Sequence, residues 1–164
     1  MITDKPFASS SYNVNLKTAS PKQALMFMRI IWAGLLVGPL VFMGIVAFQI
    51  SQNPAPANKF FPLLFTFNLD MAAFILPVTL MVRNITHRRS RNPDGTVPMS
   101  KYFSGNLIFW AGCEGVSFFG VIVALFNRTF WPTILIVLAA MALQLLTYPK
   151  RSSITPPTQT FEIK

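Results

Sequence analysis

Five acidic residues, one histidine and one cysteine are all that a 164-residue chain offers to most site chemistry. The lone Cys113 excludes an intramolecular disulfide and any site that needs a cysteine cluster. The lone His87 cannot supply the paired ligation of a bis-histidyl haem. Charged residues make up 12% of the chain, against roughly 25% in soluble domains. No phosphate loop, nucleophile elbow or metalloprotease motif is present. With so little soluble surface for catalysis, neither an enzyme nor a cofactor is expected.

What is abundant is apolar. Hydrophobic residues form 52% of the chain, mean hydropathy is +0.49, and there are 16 phenylalanines. Four long apolar runs place the chain among integral membrane proteins. The expected fold is an all-α membrane four-helix bundle with antiparallel up-down helices at about 25–50, 60–83, 103–126 and 130–148. A polar tail at 1–24 and a second at 149–164 flank the 25–148 transmembrane domain. No apolar segment precedes residue 25, so the first helix is expected to be a retained signal anchor. The expected location is multi-pass, in a membrane such as the bacterial inner membrane.

The formal charge of +9 follows the same logic. Of 14 Lys and Arg residues, only Lys59 and Arg128 fall in the two short connections. The other 12 lie in the tails, the start of helix one and the central connection. The positive-inside rule therefore predicts both termini and the central loop on the cytoplasmic side. Arg88, Arg89 and Arg91 in that loop are candidates for anionic lipid headgroups, and a nucleic-acid partner is not needed to explain them. Asn92-Pro93-Asp94-Gly95 reads as a turn within the loop.

Small residues suggest close helix packing. Gly34 and Gly38 form a G-x-x-x-G pair in helix one, and Gly115 and Gly120 recur in helix three. Pro39 follows Gly38 near mid-membrane and removes a helical hydrogen bond. The loop of residues 51–59 is short enough to make helices one and two antiparallel neighbours.

Two acids interrupt the apolar runs. Asp70 lies roughly 13 Å below the outer entry of helix two, and Glu114 roughly 16 Å above the inner entry of helix three, at about 1.5 Å per residue. Both reach the middle of a hydrocarbon layer about 30 Å thick, and Pro39 falls at a similar level. No Lys, Arg or His sits at that depth to pair with them. An unpaired carboxylate there must take a proton, share one, bind a cation or meet a charge on another subunit. Asn68, Ser117, Asn106 and Gln144 are polar groups able to complete a site, with Ser117 one turn from Glu114.

The stretch around Glu114 resembles the proton-binding helix of rotary ATP synthase proteolipids. The matching residues are the mid-membrane acid Glu114, Gly120 six positions later, and the apolar run of residues 121–126. The resemblance implies that Glu114 would carry a transported proton or sodium ion. Pro39 and Asp70 depart from that pattern, and helix four lacks the acid of a second hairpin. Two functions follow. One is a small multi-pass protein that binds a proton or small cation through Glu114 and Asp70. The other is a non-catalytic structural or accessory subunit of a larger membrane complex. Membrane lipids and a homo- or hetero-oligomeric partner are the expected company.

Overall fold

A computed structural model describes residues 21–52 and 60–154. The expectations for residues 1–20, most of the 51–59 loop and residues 155–164 lie outside the described residues. The apolar runs become four helices: α1 (Pro21–Gln52), α2 (Phe61–Arg89), α3 (Met99–Asn127) and α4 (Thr133–Leu146). A short 3-10 turn, Arg151–Ser153, follows. Among the described residues the only strand-like feature is one parallel bridge between Val97 and Ile154. Three helices, spanning residues 22–52, 61–89 and 99–127, are long and apolar enough to cross a membrane.

The helix limits follow from local chemistry. α2 starts where Pro62 occupies its first turn, a position that needs no N–H. It runs past the last apolar residue through His87, Arg88 and Arg89. Nothing breaks the helix there, and cations suit its carbonyl end. The break comes at the Asn92–Gly95 turn. Gly95 N–H donates to Asn92 O at 2.9 Å, and Gly95 takes a φ of 84° that favours glycine. The basic residues expected in a loop are therefore largely helical. α3 ends at Arg128, a non-glycine residue with φ 55°, whose N–H caps the Ala124 and Leu125 carbonyls.

α4 is shorter than its apolar run. Its 14 regular residues rise about 21 Å, against a hydrocarbon core of about 30 Å. Pro132 precedes its first residue, and the Thr147 hydroxyl turns back to the Leu143 and Gln144 carbonyls at its end. That bond offers the final carbonyls a side-chain partner in place of a further helical N–H.

α3 is the hub on which the other three pack. α2 lies against it with Asn68 near Gly120, Thr79 near Gly112 and His87 near Gly105, so the two run in opposite directions. α4 also opposes α3, with Val137 near Gly120 and Thr147 bonded to Trp110. α1 runs alongside α3 in the same sense, Phe27 meeting Phe103 and Phe42 meeting Phe118. The expected close pairing of α1 with α2 is replaced by this pairing of each with α3. Glycines explain the preference. A Cβ on Gly112 would lie 2.8 Å from Thr79 Cγ2, and one on Gly120 would lie 2.6 Å from Val137 Cγ2. No larger side chain permits these approaches without displacement.

The main apolar core joins Phe109, Trp110, Cys113 and Val116 of α3 to Ala72 of α2 and Ala140 of α4. A second cluster at the opposite end joins Val46, Val121, Val137 and Met141. A third, built on Met28, Val97, Tyr102 and Ile154, closes the end that carries the α2–α3 connection. That end holds most of the described cations and is called the basic end below.

Candidate functional site

Glu114 stands at the α1–α3 seam. A methyl group on Gly38 would lie 3.5 Å from Glu114 Oε1 and 3.3 Å from the Phe118 ring. Gly38 thus leaves room for the carboxyl between two helices. Ser117 is fully buried, and its hydroxyl donates to the Cys113 carbonyl at 2.8 Å, within α3 itself. Cys113 is buried in the main core. Pro39 is buried inside α1, one residue from Gly38. Among the described residues no hydrogen bond or ion pair involves Glu114, and no group of three His, Cys, Asp or Glu side chains lies together.

Asp70 points elsewhere. Asn68 faces α3 and is fully buried. Residues advance about 100° each around a helix, so Asp70 turns about 200° away, and it is exposed. It lies on an outward stripe with Leu63, Phe67, Phe74 and Met81, which are 58% to 70% exposed. The structure therefore does not join Asp70 and Glu114 across a shared interface. One acid lies within the bundle seam and the other on its outer face.

The glycines divide in the same way. Gly38 and Gly120 meet neighbouring helices, whereas an added Cβ on Gly34 or Gly115 meets nothing within 4 Å. Asn68 shares its place beside Gly120 with Thr133. Both are fully buried, and Asn68 Nδ2, Asn68 Oδ1 and Thr133 Oγ1 have no hydrogen-bond partner. Asn127 is also fully buried with both amide atoms unpartnered.

The basic end is organised differently. Arg83 Nε donates to Asn106 Oδ1 at 2.7 Å, and Asn106 Nδ2 donates to the Tyr102 carbonyl at 2.8 Å. The His87 and Tyr102 rings stack with centroids 5.2 Å apart and planes 9° from parallel. Arg91 Nε donates to the Gly95 carbonyl at 3.0 Å. The Tyr102 hydroxyl accepts a long bond from Lys150 N–H at 3.4 Å. Arg29 lies over the Tyr148 ring at 5.1 Å. Asp94, in the turn, accepts from the Thr96 hydroxyl at 2.7 Å and the Thr96 N–H at 2.9 Å. These bonds hold its carboxyl below the usual range for an aspartate, the hydroxyl contributing most.

Sequence reasoning singled out Arg88, Arg89 and Arg91 in this region and gave Arg83 and Lys150 no site role. Arg83 and His87 are four residues apart on one face of α2, whereas Arg91 lies past the helix end and is held by the Gly95 carbonyl. Lys150 has no such signal, because it follows the end of α4 in irregular chain. No family model matches the chain, and no curated protein or solved structure is similar to it.

Proposed function

We propose that this chain is a multi-pass integral membrane protein acting as a non-catalytic subunit of a larger membrane assembly. Both termini and the basic end face the cytoplasm, as in a bacterial inner membrane, with anionic lipids against the Arg88, Arg89 and Arg91 region. The observation that carries this reading is the outward position of Asp70. A carboxylate facing lipid at mid-depth is expensive, whatever the exact cost. Its neighbours Leu63, Phe67, Phe74 and Met81 recur at the seam spacing of packed helices. The occupant this face fits is a membrane helix of another protein that brings a basic side chain to the depth of Asp70.

The test is gentle extraction into nanodiscs with crosslinkers at Leu63 and Phe74, followed by native mass spectrometry of wild type and Asp70→Leu. The expected product is a hetero-complex crosslinked to a partner helix with a mid-depth Lys, Arg or His, and lost in Asp70→Leu. A complex that survives Asp70→Leu unchanged overturns the reading. A homo-oligomer crosslinked through α2 overturns the separate partner in favour of a second copy.

Glu114 supports a second reading. Its carboxyl lies in the α1–α3 seam with no ion pair among the described residues, the setting in which a proton is retained or exchanged. This is the role that the resemblance to ATP synthase proteolipids assigns to it. Infrared difference spectra that show Glu114 ionised throughout the neutral range would remove that reading.

A further inference from the structure

At the basic end, α2, the α2–α3 turn, α3 and the chain after α4 enclose a cavity of about 520 Å³. Arg83, His87, Arg88 and Arg91 line one wall, and Lys150 closes the other. Ser152, Ser153, Tyr102 and Thr147 add hydroxyls, and no Asp or Glu is among its lining residues. Four permanent cations around one space repel one another. The structure nevertheless holds two of them in place by neutral acceptors, Arg83 through Asn106 and Arg91 through Gly95. Those bonds use each Nε and fix the guanidinium plane without cancelling its charge. Fixed guanidinium groups beside hydroxyls match the oxygens of a phosphate, which arginine grips in pairs.

A second feature adjoins the first. Asn84 and Arg88 also border an open groove of about 400 Å³, which continues along Pro77, Leu80, Met81 and Ile85 of α2. Arg88 and Asn84 thus stand between a polar, cationic chamber and an apolar channel that leads into the membrane-spanning length of the helix. A phosphate bearing an acyl chain meets both requirements at once. A free phosphate meets only the first.

We infer that the cavity between Arg83, Arg88, Arg91 and Lys150 is a specific phosphate site, and that the groove along Leu80 and Met81 takes the chain of an anionic phospholipid whose headgroup occupies it. This goes beyond general attraction of a basic loop to a membrane. It separates Arg88 from Arg89, which is in the same helical turn but does not line the cavity.

The experiment uses the full chain purified in neutral detergent. Thermal unfolding is followed with added phosphatidylglycerol, phosphatidylcholine, or inorganic phosphate against sodium chloride at equal ionic strength, and retained lipid is counted by native mass spectrometry. Wild type is expected to retain phosphatidylglycerol over phosphatidylcholine. The pair Arg88→Gln with Lys150→Gln should weaken that retention about tenfold or more, as loss of charge-assisted bonds implies, and Arg89→Gln should not. Met81→Trp, on the exposed groove wall, should lower lipid retention but leave any phosphate effect intact. Stabilisation by phosphate with no preference for phosphatidylglycerol would keep the phosphate site and assign it to a free anion. Equal effects of Arg89→Gln and Arg88→Gln overturn the site. So does a wild type that prefers neither anionic lipid nor phosphate.

Discussion

The two ends of the bundle bury their asparagines in opposite ways, although His87 Nε2 at the basic end is also buried without a partner. At the basic end Arg83, Asn106 and Tyr102 form a continuous chain of bonds. Just below it Trp110 Nε1 donates to Thr147 Oγ1 at 3.0 Å and Trp32 Nε1 donates to the Gln144 carbonyl at 3.0 Å. At the other end Asn68, Asn127 and Thr133 are equally buried, and their side-chain polar atoms have no partner. Removing one member of a bonded pair strands the other, while replacing an unbonded polar group by an apolar one strands nothing. Similar residue types at similar burial therefore carry different consequences, and the difference lies in the partner rather than the depth.

The sharpest comparison is between two asparagines. Asn106→Leu leaves the Arg83 guanidinium without its acceptor and is expected to cost about 1.5–3 kcal/mol of stability, the range for a bond to a charged group. Asn68→Leu, with no bond to lose, is expected to cost less than about 1 kcal/mol, or to stabilise. Both are read as shifts in unfolding midpoint in one detergent. A larger loss for Asn68→Leu than for Asn106→Leu would break the contrast and show that Asn68 holds something essential.

Packing gives a second comparison, of intermediate size. Alanine at Gly120 puts a Cβ 2.6 Å from Val137 Cγ2, a branched side chain fixed on the facing helix. At the basic end, alanine at Gly105 meets the edge of the His87 ring at 3.1 Å. Gly120→Ala is expected to cost about 1–2 kcal/mol by overpacking, and Gly105→Ala less. Equal midpoints for the two variants would show that α4 yields as easily as the His87 ring.

These contrasts also mark how far the chain was legible before its structure. The all-helical class and the positions of four helices followed from apolar run length, because a run of about twenty such residues has few other uses. The ends were less legible. α2 extends through His87, Arg88 and Arg89 because no breaker precedes Asn92-Pro93-Asp94-Gly95, whereas hydropathy alone stops it where the apolar residues stop. Depth estimates brought Asp70 and Glu114 to one level but said nothing of azimuth. Azimuth depends on which face of α2 meets α3, and that was decided by Asn68, Thr79 and His87 against Gly120, Gly112 and Gly105. Lys150 was placed on the side of the central connection by the charge distribution, but its contact with Tyr102 depends on the path of the few residues after α4, which no periodicity encodes.

Strain distinguishes the turns at the two ends. At the basic end the positive φ falls on Gly95, where it is tolerated. At the opposite end it falls on Arg128, with φ 55°. Arg128→Gly is expected to raise stability by about 0.5–1 kcal/mol through relief of a left-handed conformation. A lowered unfolding midpoint would show instead that the Arg128 side chain contributes more than its backbone loses.

The smallest expected effect belongs to Asp94, and its sign can be worked out. The Thr96 hydroxyl and N–H hold its folded pKa below the ordinary value of 3.8. A carboxyl depressed in this way adds stability above its unfolded value and loses it as pH falls through the folded one. Asp94 is fully exposed, so solvent screens the contribution. Asp94→Asn keeps an oxygen able to accept from Thr96 but loses the charge that strengthens both bonds. Its midpoint should therefore fall slightly below wild type near about pH 7, and the two should converge as pH falls below 3.8 through the depressed folded value and the wild-type carboxyl takes up its proton. A gap that persists in acid would show that Asp94 acts through the shape of the turn, leaving the basic end ordered by Asn92 and Gly95 geometry rather than by charge.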